Sequence, residues 1–251
     1  VLRPSSRRAL AGLSVILAVA PLSACGGSSD TTITVLAASS LTGTFTDLAA
    51  RFEKEHPGVT VKLAFDSSAT LAQQAAGGAP ADVLATADAT TMDSARAALA
   101  STPQDFATNV MVLVTPSDNP AGITSFGDLN SGKVTYVVCV DTAPCGKVAA
   151  ALLERDTITA AAASTEVDVK SVLAKVTEGE ADAGIVYTTD SVSAGDAVKT
   201  ISIPGSANQT TTYPIATLDQ SKHAALAQDF VDLVLSTPGQ RVLQGAGFGA
   251  P

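Results

Sequence analysis

A regular alternation between two hydrophobic periods constrains this chain more than any other feature. Short runs such as ITVLAA (33–38) and VTVKLAF (59–65) are each followed by a stretch whose apolar residues recur at helical spacing. After the first run, Leu41, Phe45, Leu48, Ala49 and Phe52 share one helical face, and Pro57-Gly58 ends the helix. A short helix from about Ala69, the strand ADVLATAD and a helix over 92–99 follow, and then NVMVLVTP reads as one long strand ended by Pro116. The same order returns in KVTYVVCV, in GKVAAALLERD, in the face made by Val169, Val172, Leu173 and Val176, and in AGIVY. TTTYPIATL is again extended, and two helices close the chain, with Leu226, Phe230, Leu233 and Val234 inward on the first. Alternating β and α elements require parallel or mixed sheets covered on both faces. The expected fold is therefore α/β with two lobes and a cleft between them. Residues 33–110 and 212–251 would form lobe I and residues 111–211 lobe II, the chain crossing twice.

In such sheets ligands sit at the carboxyl ends of strands, where loops lead into helices. Two serine pairs occupy that position: Ser39-Ser40 after the first strand and Ser67-Ser68 after the second. First-turn N–H groups have no intrahelical partner, so a helix start with neutral hydroxyls suits an anion. Ser40 could equally cap its own helix, and Ser39 and Ser67 are expected as cap or turn residues. The loop at Cys145, the helix start at Val169 and the strand end at Tyr187 fall at equivalent points in the second lobe. Asp82 and Asp88 are expected in structural or rim positions, and Asp66 must face away, because a carboxylate facing an anion repels it. Lys147 and Lys170 lie close to two of these helix starts; contact of either with the ligand would favour sulfate or phosphate.

The first residues describe export. Arg3, Arg7 and Arg8 precede the apolar run AGLSVILAVAPL, too short for a comfortable membrane span, and residues 1–24 read as a signal segment. Its exit, LSAC, resembles a bacterial lipobox, which would make Cys25 the lipidated first residue of the mature chain, followed by a tether over 25–32. That places the protein on the outer face of the cytoplasmic membrane, held only by the lipid. With Cys25 so used, Cys139 and Cys145 remain, and in an oxidising compartment they are expected to form a disulfide. A redox pair is the competing reading, but the spacing is not C-x-x-C.

Composition narrows the ligand. The formal charge of −9 speaks against a nucleic-acid partner, which calls for a basic stripe. Tryptophan is absent and aromatic residues make up 4% of the chain, so the stacking platforms common in sugar sites are scarce. Catalysis is not expected: neither His56 nor His223 accompanies a G-x-S-x-G elbow, which leaves a serine-dependent hydrolase as a remote alternative. The isolated histidines do not make a metal site, and no metal-ligating residues or cofactor are expected. An iron-binding protein would call for several tyrosines, and only Tyr136, Tyr187 and Tyr213 are available.

Five segments in fixed order carry a resemblance: AASSLTGTFTDLAARFEKEHPGV, FDSSATLAQQAAGGAPADVLATAD, PCGKVA, SVLAKVTEGEADAGIVYTTDS and the closing TPGQRVLQGAGFG. Together they resemble the molybdate-binding ModA family of ABC transporters over nearly all of residues 33–251. The resemblance implies a two-lobed type II periplasmic-binding fold, a monomer that captures molybdate or tungstate, and delivery to a permease partner. Carried over by motif, Ser40 and Ser68 would bind oxyanion oxygens through hydroxyl and N–H groups. Cys145 and Val169 would offer backbone N–H groups, and Tyr187 its phenolic hydroxyl. Sulfate, with the same charge and shape, remains the alternative oxyanion.

Overall fold

The computed structural model describes residues 31–251. The expected signal segment, Cys25 and most of the expected tether lie outside these residues. The first strand, β1 (Thr31–Ala38), leads through a 3-10 turn, Ser39–Leu41, into α1 (Thr42–Glu55). Then come β2 (Val59–Asp66), α2 (Ser68–Ala76), β3 (Val83–Ala85), α3 (Ala89–Ser94), β4 (Gln104–Asn109) and β5 (Met111–Pro116). These are followed by β6 (Tyr136–Cys139), α4 (Pro144–Arg155), β7 (Ser164–Glu166), α5 (Val169–Thr177), β8 (Ala183–Tyr187) and α6 (Thr188–Ala194). The chain ends with β9 (Val198–Ser202), β10 (Thr211–Thr217), α7 (Ala224–Leu235) and α8 (Thr237–Gly245).

The strands form two five-stranded sheets, ordered β2-β1-β3-β10-β4 and β7-β6-β8-β5-β9. In the first, β1 pairs in parallel with β2 and β3, while β10 runs antiparallel to β3 and β4. In the second, β6 pairs in parallel with β7 and β8, and β5 runs antiparallel to β8 and β9. The architecture is α/β and two-lobed, with mixed sheets flanked by helices. The chain passes from one sheet to the other between β4 and β5 and returns between β9 and β10.

Strand alternation divides the first lobe's core into two layers. From β1, Ile33, Val35 and Ala37 face one layer with Phe45, Phe52, Phe106 and Phe230, and Leu36 faces the other with Leu71, Leu84 and Met92. The rings of the first layer meet edge-on or tilted, Phe45 lying 5.8 Å from Phe106 and 5.9 Å from Phe230 between centroids. Each such pair adds about 0.5–1.5 kcal/mol beyond the area it buries. The second lobe has its own core, in which Val169, Val172 and Val176 of α5 meet Leu113, Val137 and Ile185.

Four local readings need correction. NVMVLVTP is not one strand: it joins the end of β4 to β5, and Val110 is the only residue between them. The helix expected over 92–99 begins at Ala89 and breaks at Ala95 into a 3-10 turn, with Asp88 as its cap, accepting from Thr91 N at 2.5 Å. Cys145 is not in a loop but in the first turn of α4, directly after Pro144. β1 starts at Thr31, inside the segment expected as tether.

Candidate functional site

Six strands deliver their carboxyl ends to one place. From the first sheet come the Ser39–Leu41 turn after β1, Ser68 at the start of α2 after β2, and Ala87 beyond β3. From the second come Ala143, Pro144 and Cys145 beyond β6, Asp168 and Val169 beyond β7, and Tyr187 at the end of β8. Together with Ala38 and Ser67 they line a small cavity with a free volume of about 10 Å³. That is about the room of one water molecule and far below the roughly 300–1,000 Å³ of pockets for drug-sized ligands, so only a small occupant is suited to it. The five residues singled out in the sequence, Ser40, Ser68, Cys145, Val169 and Tyr187, all line it. Ser40, Ser68 and Tyr187 are buried where the lobes meet, and α5 packs against the Ser39–Leu41 turn. The lobes are therefore closed over the cavity. A larger hollow of about 530 Å³, between Met92, Arg96, Pro103 and Pro214, lies away from these helix starts.

The five residues singled out in the sequence each present a donor. Ser40, Ser68, Cys145 and Val169 sit in the first turn of their helices, where N–H groups have no intrahelical acceptor. Ser68 Oγ accepts the Ala87 N–H at 3.0 Å, which leaves its own proton to point elsewhere. Ser40 Oγ lies 2.9 Å from Tyr213 Oη. Tyr187 is 1% exposed, and among the described residues its hydroxyl has no hydrogen-bond partner. Burial, reinforced by Tyr213, Asp190 and Asp88, pushes its pKa well above the ordinary tyrosine value, so it stays a neutral donor.

The charged neighbours are held by one another. Lys147 Nζ reaches Asp88 Oδ2 at 2.8 Å and Thr91 Oγ1 at 3.3 Å, tying α4 to the start of α3 in the other lobe. Lys170 Nζ lies 2.9 Å from Asp190 Oδ1. Asp190 is fully buried, which raises its pKa against the opposing effect of Lys170, and its other oxygen accepts the Tyr187 N–H at 3.3 Å. Neither lysine lines the cavity. Asp82 is structural, bonded to Thr34 N at 2.6 Å and Ser221 Oγ at 2.5 Å, and Asp66 accepts from Ser67 N at 2.6 Å and is not a lining residue.

The disulfide expected between Cys139 and Cys145 is present, with Cα atoms 5.8 Å apart. It ties the end of β6 to the first turn of α4. Gly146 completes this corner, because a Cβ there would stand 1.8 Å from the Val140 carbonyl oxygen.

Three contributors were not foreseen. Asp168 lines the cavity, but its carboxylate turns back to cap α5, accepting from Ser171 N at 2.9 Å. A D-V-K run opening a helix is a legible cap signal. Asn109 and Tyr213 stand behind Ser40, and no local pattern pointed to either.

Two sheets crossed twice by the chain, with a closed cavity of donors at their facing strand ends, define a two-lobed solute-binding protein. The sequence pattern of the bacterial extracellular solute-binding proteins matches residues 33–249, and the chain belongs to that family and, within it, to the ModA group. The molybdate-binding protein ModA of Mycobacterium tuberculosis is 39% identical over 253 residues, covering 96% of this chain and 97% of the relative. Two solved structures share the fold. The periplasmic molybdate-binding protein of Azotobacter vinelandii has a TM-score of 0.72 and 20% identity, over 87% of this chain and 99% of that one. The sulfate-binding protein SubI of Mycobacterium tuberculosis has a TM-score of 0.76 and 17% identity, over 87% and 86%.

Proposed function

We propose that this protein captures molybdate or tungstate as a monomer outside the cytoplasm, anchored through a lipid on Cys25, and hands it to an ABC permease. Ser40, Ser68 and Tyr187 donate hydroxyls to the oxyanion, and Ser40, Ser68, Cys145 and Val169 donate backbone N–H groups. The observation that carries this reading is the Tyr187 hydroxyl, buried against the cavity and without a hydrogen-bond partner among the described residues. A buried, unpaired hydroxyl costs about 1–3 kcal/mol and is retained where a ligand supplies the missing partner. A fully ionised tetrahedral oxyanion carries acceptors only, so it can satisfy every donor here. Each charge-assisted bond contributes on the order of 1.5–3 kcal/mol, and the helix starts add their dipoles.

The pairing of Lys147 with Asp88 and of Lys170 with Asp190 supports a site that selects by donor geometry and not by net positive charge. Binding without turnover is supported by Ser40 Oγ being engaged with Tyr213 and Ser68 Oγ with Ala87 N. Sulfate is the second reading, because the same donors suit it and a sulfate-binding protein shares the fold. Calorimetric titration with molybdate, tungstate, sulfate and phosphate tests the proposal. Tight binding of the first two, weak sulfate and silent phosphate are expected; a preference for sulfate or phosphate would refute the assignment.

A further inference from the structure

Behind the cavity a second layer of polar side chains backs Ser40. Asn109 ends β4, and its side-chain oxygen accepts the Val110 N–H at 3.0 Å, which sets the amide so that its NH2 faces inward. That NH2 donates to Thr189 Oγ1 at 2.8 Å and to Tyr213 Oη at 3.4 Å. Tyr213 is fully buried on β10, next to the register shift between Tyr213 and Pro214, a bulge that re-aims the strand's side chains. Its hydroxyl accepts from Asn109 and needs an acceptor for its own proton. The Asn109 NH2 cannot accept that proton, whereas Ser40 Oγ, at 2.9 Å, can, although either oxygen of this pair is able to donate. When Tyr213 donates, one of the two Ser40 lone pairs is taken and the Ser40 proton is left for the cavity.

We propose that Tyr213, oriented by Asn109, is a positioning residue that locks Ser40 as a donor and thereby makes the cavity reject oxyanions that carry a proton. A protonated phosphate needs at least one acceptor in its shell, and an unconstrained serine hydroxyl can serve as either donor or acceptor. Donation from Tyr213 biases Ser40 toward donating before any ligand arrives. The lock rests on the oxyanion reading of the site and assigns selectivity within it to residues that do not touch the ligand. The same amide reaches Thr189 of α6, so the proton order is set where the two lobes join.

The test is Tyr213→Phe, which keeps the ring contacts with Phe106, Tyr187 and Phe248 and removes only the hydroxyl. Molybdate and inorganic phosphate are titrated into parent, Tyr213→Phe, Ser40→Ala and the double variant, with thermal melts to verify folding. Molybdate affinity should fall about 2- to 10-fold in Tyr213→Phe, the loss of one neutral hydrogen bond. Phosphate binding should strengthen, so that the molybdate-to-phosphate ratio drops by about tenfold or more. In the Ser40→Ala background Tyr213→Phe should change neither affinity, because the hydroxyl acts through Ser40. An unchanged ratio, or the same loss with and without Ser40, overturns the lock while leaving the oxyanion site intact. A parent that binds molybdate no better than phosphate overturns the site reading itself, and the lock with it.

Discussion

Replacing Tyr187 with phenylalanine separates a binding hydroxyl from a structural one, because the two roles predict effects of opposite sign. The ring is 1% exposed and packs edge-on against Tyr213 at 6.0 Å between centroids, contacts that phenylalanine retains. What is lost is a hydroxyl with no hydrogen-bond partner among the described residues. In the empty protein this removes a desolvated polar group, so Tyr187→Phe should be at least as stable as the parent, by up to about 3 kcal/mol. For a chain of this size each kcal/mol corresponds to about 2–4 °C in Tm. In the loaded protein the variant lacks one bond to a charged ligand, about 1.5–3 kcal/mol, which is roughly a 10- to 150-fold loss of affinity. Because burial keeps the hydroxyl protonated, the loss should be the same across neutral and mildly alkaline pH. Calorimetry gives the affinity, and thermal melts with and without molybdate give the stability. A variant that is less stable when empty, or that binds molybdate as tightly as the parent, would refute the reasoning.

Ser68→Ala should weaken molybdate binding about 10- to 100-fold and, unlike Tyr187→Phe, also destabilise the empty protein, because Ala87 N–H loses its acceptor; unchanged affinity in calorimetry would remove Ser68 from the site. Lys147→Met breaks an inter-lobe pair whose side chains are 39% and 17% exposed, so solvent screening limits the effect to about 0.2–1 kcal/mol, or roughly 1.5- to 5-fold in affinity. Asp88→Asn should show a loss of the same size without additivity, and a drop far beyond this in Lys147→Met would mean that the lysine touches the anion. Gly146→Ala should abolish binding and expose the disulfide corner to proteolysis, since its Cβ would overlap the Val140 carbonyl; a variant with parental affinity contradicts that close approach. Asp190 has a raised pKa, so the folded protein holds this proton to higher pH than the unfolded chain does, and stability falls as pH rises from the ordinary carboxylate range through the raised value. Urea unfolding of Asp190→Asn across that range should lack this decline, and a slope identical to the parent's would assign it to another group.

Sequence periodicity placed the candidate donors at strand ends, where hydrophobic runs change period, and the ModA resemblance joined them into one set. Ser40, Ser68 and Val169 sit at or beside a switch from strand to helix, and Tyr187 ends the strand AGIVY. The break at Val110 was invisible for the opposite reason: apolar residues continue through it, and no glycine or proline marks the passage between sheets. The helix α6 also went unseen, since TTDSVSA has too few apolar residues to show a period. The second layer depends on contacts remote in sequence. Ser40 and Tyr213 are 173 residues apart, Asn109 and Tyr213 are 104 apart, and Lys147 and Asp88 are 59 apart. Such pairs exist only once both sheets are assembled, so no window along the chain contains them.

The pairing of both nearby lysines with carboxylates has a consequence for how cargo leaves. A site that relied on free cations would keep attracting its anion after the lobes parted, because charge acts over several ångströms while a hydrogen bond does not. Four of the donors named above belong to the first lobe, the hydroxyls and N–H groups of Ser40 and Ser68, and three to the second, and among the described residues no lysine lines the cavity wall. If the cavity holds its oxyanion as proposed, separating the lobes would leave two weak half-sites in place of one strong one. Unloading would then require only a small displacement, with no competing ion and no change of pH.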